Sequence, residues 1–158
     1  MDIVKQISVS LENKPGRLAQ ILSELAREKV NITALTVMDS HEHSVLRFVT
    51  NDVQQSLPVL TKMNLRHAQT DVISVEMRNQ PGALAQVCER LAEEHVNIDY
   101  AYCSSGGRNG KTVGIFKVAN PEKAGRVLNG QATSVNRRRL ARQPLRDRRT
   151  YHVTGSTR

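Results

Sequence analysis

The chain has 158 residues with a formal net charge of +8, 39% hydrophobic residues, 3% aromatic residues and no tryptophan, a length that holds one ordinary domain or two small ones. No apolar run nears the ~20 residues of a membrane-spanning helix, and the start MDIVKQISV lacks a signal-peptide shape, so a cytoplasmic protein with reduced Cys88 and Cys103 is expected. Lys and Arg against Asp and Glu count 15 to 14 over residues 1–130 but 8 to 1 over residues 131–158, which confines any charge-driven nucleic-acid binding to the tail, where Pro144 and the lack of an apolar stripe count against a membrane-binding helix.

The first elements follow from spacing. Ile7, Val9 and Leu11 alternate with Gln6, Ser8 and Ser10, predicting a strand with one buried face. Asn13-Lys14-Pro15-Gly16 breaks it. Leu18, Ile21, Leu22, Leu25 and Ala26 then recur as on one face of a helix, with Pro15 at a first helical position where its missing N–H costs nothing. Val30-Asn31-Ile32 opens a β-branched run to about Met38, and the polar link Ser40-His41-Glu42 leads to a second run from Val45 to Thr50. The two runs predict a hairpin. Asp52 offers a cap to a second helix carrying Leu57, Leu60 and Met63, which Pro58 is expected to shorten or bend. A fourth strand is expected near Arg66 to Thr70.

The same order then begins again. Ile7 to Ile32 returns at Ile73 to Ile98, 66 residues on, with fifteen of 26 positions identical and no gap. The second copy offers Ile73, Val75 and Met77 for its strand and Leu84, Val87, Cys88, Leu91 and Ala92 for its helix. Val96-Asn97-Ile98 leads to Cys103, a polar link from Ser104 to Gly110 follows, and a second run covers Thr112 to Val118. Asn120-Pro121 would cap a helix with Ala124, Val127 and Leu128, and a weakly patterned fourth strand is sought at Gln131 to Asn136. The duplication predicts two domains of one fold, 1–70 and 71–136, followed by a basic tail, 137–158, expected to be disordered. Each copy reads β-α-β-β-α-β, the ferredoxin-like α+β arrangement of an antiparallel sheet with helices on one face. With little but Asp71 between the copies, the two sheets are expected to meet edge to edge or face to face.

The repeat also keeps residues that a core does not require: Asn13 and Asn79, Pro15 and Pro81, Gly16 and Gly82, Asn31 and Asn97. A helix N-terminus holds a carboxylate or phosphate through unpaired N–H groups and the helix dipole, and a glycine there lets a ligand approach the backbone. An asparagine both donates and accepts. The plainer reading is equally open: Pro and Gly make the turn, Asn13 caps the helix, and Asn31 marks the return turn. Competing chemistries fare worse. Acyl-phosphate hydrolysis on this fold class would use Arg17 with Asn31, yet Arg17 becomes Ala83 in the second copy and the Pro-Gly turn is tight. A base-stacking RNA module would need more aromatics than Phe48, Phe116 and the same-face pair Tyr100 and Tyr102. His41-Glu42-His43 has no third metal ligand in sequence, and His67 and His95 have no evident partner. No enzyme activity, metal or cofactor is expected.

The combination of a strand, Asn-x-Pro-Gly-x-Leu-Ala, an amphipathic helix and Val-Asn-Ile resembles the ACT domain, a regulatory amino-acid-binding module. The resemblance covers residues 5 to about 130 in two copies and is nearest to free-standing tandem ACT proteins of bacteria. In that family effectors bind between paired domains, at the loop after the first strand and the start of the second. By motif, the resemblance implies Asn13, Gly16, Arg17, Leu18 and Asn31, together with Asn79, Gly82, Ala83, Leu84 and Asn97. It implies an allosteric sensor of an amino acid with a biosynthetic enzyme as partner, and a homodimer is expected because the sheet edges and the inter-domain surface need covering. The alternative is a structural or protein-interaction regulator with no ligand of its own.

Overall fold

The computed structural model describes residues 1–38, 43–105 and 110–130. The link at 40–42, the strand sought at 131–136 and the tail 137–158 lie outside the described residues. In chain order the elements are β1 (Asp2–Glu12), α1 (Arg17–Arg27), β2 (Ile32–Met38), β3 (His43–Thr50), α2 (Val53–Lys62), β4 (His67–Arg78), α3 (Ala83–Glu93), β5 (Ile98–Ser105), β6 (Lys111–Val118) and α4 (Pro121–Leu128).

The ten elements form two β-α-β-β-α units sharing one antiparallel sheet, in the order β2-β3-β1-β4-β6-β5. The copies therefore join edge to edge. The joint is closer than sequence implied, because the strand expected to end near Thr70 and the one expected to begin at Ile73 are a single strand, β4, and Asp71 lies inside it. β1 and β4 pair along Asp2 to Val9, and the register sets Lys5 opposite Asp71. Those two residues are also 66 apart, the repeat offset, so the pseudo-two-fold axis relating the copies passes through this pair. The salt bridge between them measures 2.7 Å.

This symmetry has a topological consequence. His67 to Thr70 pairs with Gln6 to Val9 and completes the first copy, while Asp2 to Val4 pairs with Val72 to Ser74 and does the same for the second. The beginning of the chain thus covers the sheet edge for which a late strand was sought. Neither central strand is left with a long row of unpaired N–H and C=O groups.

All four helices lie on one face. Ile7, Val9 and Leu11 of β1 join Leu46 and Phe48 of β3 beneath Ile21 and Leu25 of α1 and Val59 and Leu60 of α2. Ile73, Val75, Phe116 and Val118 repeat this beneath Val87 and Leu91 of α3 and Ala124 and Val127 of α4. The opposite face carries a third cluster made of strand residues alone: Ala34, Val49, Val72 and Ile115, with Val4, Tyr102 and Val113 against them. The sheet curls round this cluster until its edge strands β2 and β5 touch. Right-handed twist accumulated over six strands drives such closure.

Local chemistry places the helix ends. The Asp52 carboxylate accepts from the Gln55 N–H at 3.0 Å, and the Asn120 side chain from the Lys123 N–H at 2.9 Å, so both expected caps are present. Pro58 sits inside α2 without shortening it, since α2 has ten residues and α4 eight. Pro15 and Pro81 do not open helices. Each lies in the preceding turn, and the residue before each helix is a glycine.

Candidate ligand-binding site

The strand-to-helix turn is built identically in both copies. Lys14 and Gln80 donate backbone N–H bonds to the carbonyls of Glu12 and Arg78, and Arg17 and Ala83 donate to those of Lys14 and Gln80. Gly16 and Gly82 then take left-handed conformations, at φ 84° and 85°. A side chain in that region is strained, which explains the glycine without reference to a ligand. The N-cap positions of α1 and α3 are Gly16 and Gly82, not the asparagines, and neither glycine supplies a side-chain cap. Nothing lies within 4 Å of where a Cβ on either glycine would stand, leaving the backbone at both helix starts approachable.

The asparagines after the helices are elsewhere. Asn31 donates its N–H to the Asn51 side chain at 2.8 Å and accepts the Asn51 N–H at 3.1 Å. Asn97 donates from its amide to the Asp99 carboxylate at 3.1 Å. Glu12 pairs with His43 at one end of β3 and Ile32 with Thr50 at the other, a span of about 23 Å at ~3.3 Å per strand residue. The same separation holds in the second copy, where Arg78 pairs with Lys111 and Ile98 with Val118. Asn31 and Asn97 therefore do not join the turn of their own copy. The turns themselves lie at opposite ends of the sheet, because Glu12 and Arg78 each stand seven residues from the central Lys5 and Asp71 pair.

Cavities gather around the turns. In the first copy Ser10, Leu11, Glu12, Arg17, His43 and Arg66 surround one of about 210 Å³. Arg17 also reaches a groove of about 680 Å³ between α1 and α2, which runs past Glu24, Arg27, Gln55 and Lys62. In the second copy Glu76, Arg78, Gln80, Ala83 and Arg90 border about 330 Å³ beside Met1. Leu18 packs on the first core, whereas Leu84 is 43% exposed.

Charge distinguishes the copies. Lys14 pairs with the Glu12 carboxylate at 2.7 Å, and its hydrogen bond and charge, followed by Arg17 and His43, hold that carboxyl below the usual range. Arg17 bonds Gln20 at 3.0 Å, but its Nε is buried without a partner. The second copy has Arg78 and Ala83 at the positions of Glu12 and Arg17, and Arg90 is drawn onto the Val127 carbonyl of α4. Glu12 and Arg66 were not singled out from sequence. The inversion from Glu12 to Arg78 between otherwise matched turns could have marked the first, while nothing local marks Arg66.

Two copies of a β-α-β-β-α unit fused in one antiparallel sheet, each with an open glycine turn at a helix start, define the class of fold. The ACT domain pair model matches residues 1–142, and the chain belongs to that family. Protein BT0572 from Bacteroides thetaiotaomicron is 32% identical over 82% of this chain and 88% of its own, with a TM-score of 0.75. The ligand-free regulatory subunit of aspartate kinase from Thermus thermophilus shares the fold at 17% identity, over 84% and 95% of the two chains, with a TM-score of 0.58. The corresponding subunit from Thermus flavus gives 17% identity over 82% and 93%, with a TM-score of 0.54. No curated protein sequence matches the chain.

Proposed function

We propose that the chain is a non-catalytic regulatory protein that binds an amino acid at one or both of its strand-to-helix turns and transmits the binding through the sheet its two copies share. The observation that carries this reading is the pair of open αL glycines, each exposing a helix N-terminus beside a cavity. Such a terminus attracts a carboxylate without a dedicated charged side chain.

Because β1 and β4 each belong to both copies, a ligand that prefers one twist of the sheet at one turn biases the other. Its effect is limited by its differential affinity for the two arrangements. The names of the aspartate kinase neighbours favour a biosynthetic enzyme as the partner that reads this change. Strand β2 favours self-association as well: Ile32 to Met38 contains no charged residue, lies at the sheet edge, and exposes Leu35, Val37 and Met38. Natural edges are usually guarded by charge or proline. No helix among the described residues is long and apolar enough to cross a membrane.

The test is thermal unfolding of the purified protein with each of the twenty amino acids, repeated in Asn13→Ala/Asn79→Ala. Ligand in excess raises the midpoint of whatever binds the folded state. A rise with one or two amino acids supports the sensor. No rise with any of them overturns it in favour of a protein-interaction regulator.

A further inference from the structure

We infer that the first copy alone carries the amino-acid pocket, in which Arg17 and Arg66 take the ligand's carboxylate and Glu12 takes its ammonium. This rests on the amino-acid-binding reading and assigns it to one end of the molecule and to three side chains.

The cavity of about 210 Å³ is the size of a small zwitterion, and its walls carry both signs of charge. Arg66 is exposed and makes no ion pair among the described residues, and Arg17 is bound only to the neutral Gln20 amide. The nearby Glu12 is already compensated by Lys14. Two guanidinium groups thus have no carboxylate of their own among the described residues, and a planar carboxylate is a partner that a guanidinium fork binds bidentately. Glu12 is held ionised, and Lys14 engages it through Oε2, so the carboxylate keeps capacity for a second cationic donor. A ligand offering a carboxylate and an adjacent ammonium matches this arrangement; a plain anion or a plain amine satisfies half of it.

The second copy shows what the pattern requires. Arg78 occupies the Glu12 position and would repel an ammonium, Ala83 removes the first guanidinium, and Arg90 is committed to the Val127 carbonyl. The Glu76 carboxylate is paired with Lys111. The same backbone turn therefore presents the wrong charge for a zwitterion.

Isothermal titration of the whole chain with the twenty L-amino acids identifies the binder, which is then compared with its 2-hydroxy-acid and decarboxylated analogues. The proteins are wild type, Glu12→Gln, Arg17→Gln, Arg66→Gln and Arg78→Gln; Glu12, Arg66 and Arg78 sit on exposed or half-exposed positions that the fold does not need. The expected result is one site per chain. Arg17→Gln and Arg66→Gln each weaken it about tenfold, as for loss of a charge-assisted hydrogen bond. Glu12→Gln weakens the amino acid but not the hydroxy acid, and Arg78→Gln changes nothing. An amino acid that binds unaffected by Glu12→Gln and Arg66→Gln, or that fills two equal sites, overturns this assignment and leaves the sensor reading intact. Absence of any binding overturns both.

Discussion

Gln6 offers the sharpest test of how the two copies are held together, because its side chain is wholly buried and two of its three partners come from the other copy. Its amide donates to the Tyr100 hydroxyl at 2.8 Å and to Ser8 Oγ at 3.2 Å, and its carbonyl oxygen accepts from the Tyr102 hydroxyl at 3.0 Å. Arg47 of the first copy stacks over the Tyr100 ring at 4.0 Å. Tyr102→Phe removes a hydroxyl from a half-buried ring but leaves the Gln6 carbonyl, at 0% exposure, with no partner and no route to water. The cost should be about 1–2 kcal/mol, the penalty for an unsatisfied buried acceptor. Gln6→Leu should cost less, within about 1 kcal/mol, because both half-exposed tyrosine hydroxyls can turn to solvent while an apolar side chain joins Val4 and Val72. The double variant should then be no worse than Gln6→Leu, giving a coupling of about 1 kcal/mol. Urea unfolding followed by circular dichroism reads this directly: for a slope of ~2 kcal/mol/M, Tyr102→Phe should lower the midpoint by about 0.5–1 M. A midpoint unchanged by Tyr102→Phe, or strictly additive costs, would refute the clasp.

Other expectations follow from the same geometry. A Cβ on Gly114 would stand 2.7 Å from the Phe116 ring and 2.8 Å from the Met77 methyl, so Gly114→Ala should cost about 1–3 kcal/mol by overpacking, and an unchanged melting temperature would contradict this contact. Gly16→Ala meets no neighbour and should cost only the left-handed backbone penalty, about 1 kcal/mol, measurable by denaturant titration. Asp52→Ala and Asn120→Ala should each cost about 1 kcal/mol through loss of a helix cap, again by denaturant titration. Burial, followed by the neighbouring Tyr100, raises the Tyr102 hydroxyl above its ordinary value of 10.0. Its stabilising contribution is whole below about pH 10 and is lost as pH rises toward the folded-state value, because the unfolded chain releases that proton first. Wild type should therefore lose stability above pH 10 more steeply than Tyr102→Phe, and parallel profiles would exclude the effect.

Much of this molecule is written in local spacing. Alternation at Ile7, Val9 and Leu11, the helical stripe from Leu18 to Ala26, the caps at Asp52 and Asn120, and the exact return of the pattern 66 residues later specify the elements, their order and the duplicated α+β fold. These features are legible because each depends on residues a few positions apart. The turns containing Gly16 and Gly82 were visible for the same reason, although Pro15 and Pro81 proved to precede the helices rather than begin them.

Strand pairing across the copies is decided by the whole sheet. Nothing near Asp71 announces that two expected strands are one, or that Asp2 to Val4 will pair with Val72 to Ser74, since that choice depends on which distant edges remain open. Gln6 looks like an ordinary solvent-facing position until curling brings Tyr100 and Tyr102 over it. Arg66 likewise joins Glu12 and Arg17 only after α1, the β2–β3 hairpin and α2 have returned the chain to the end of β1. Sequence alone determined the repeated unit and its family, since periodicity and turn chemistry are short-range. Tertiary structure alone decided how the units fuse and which charges meet at one turn, since those depend on pairing between residues far apart in the chain.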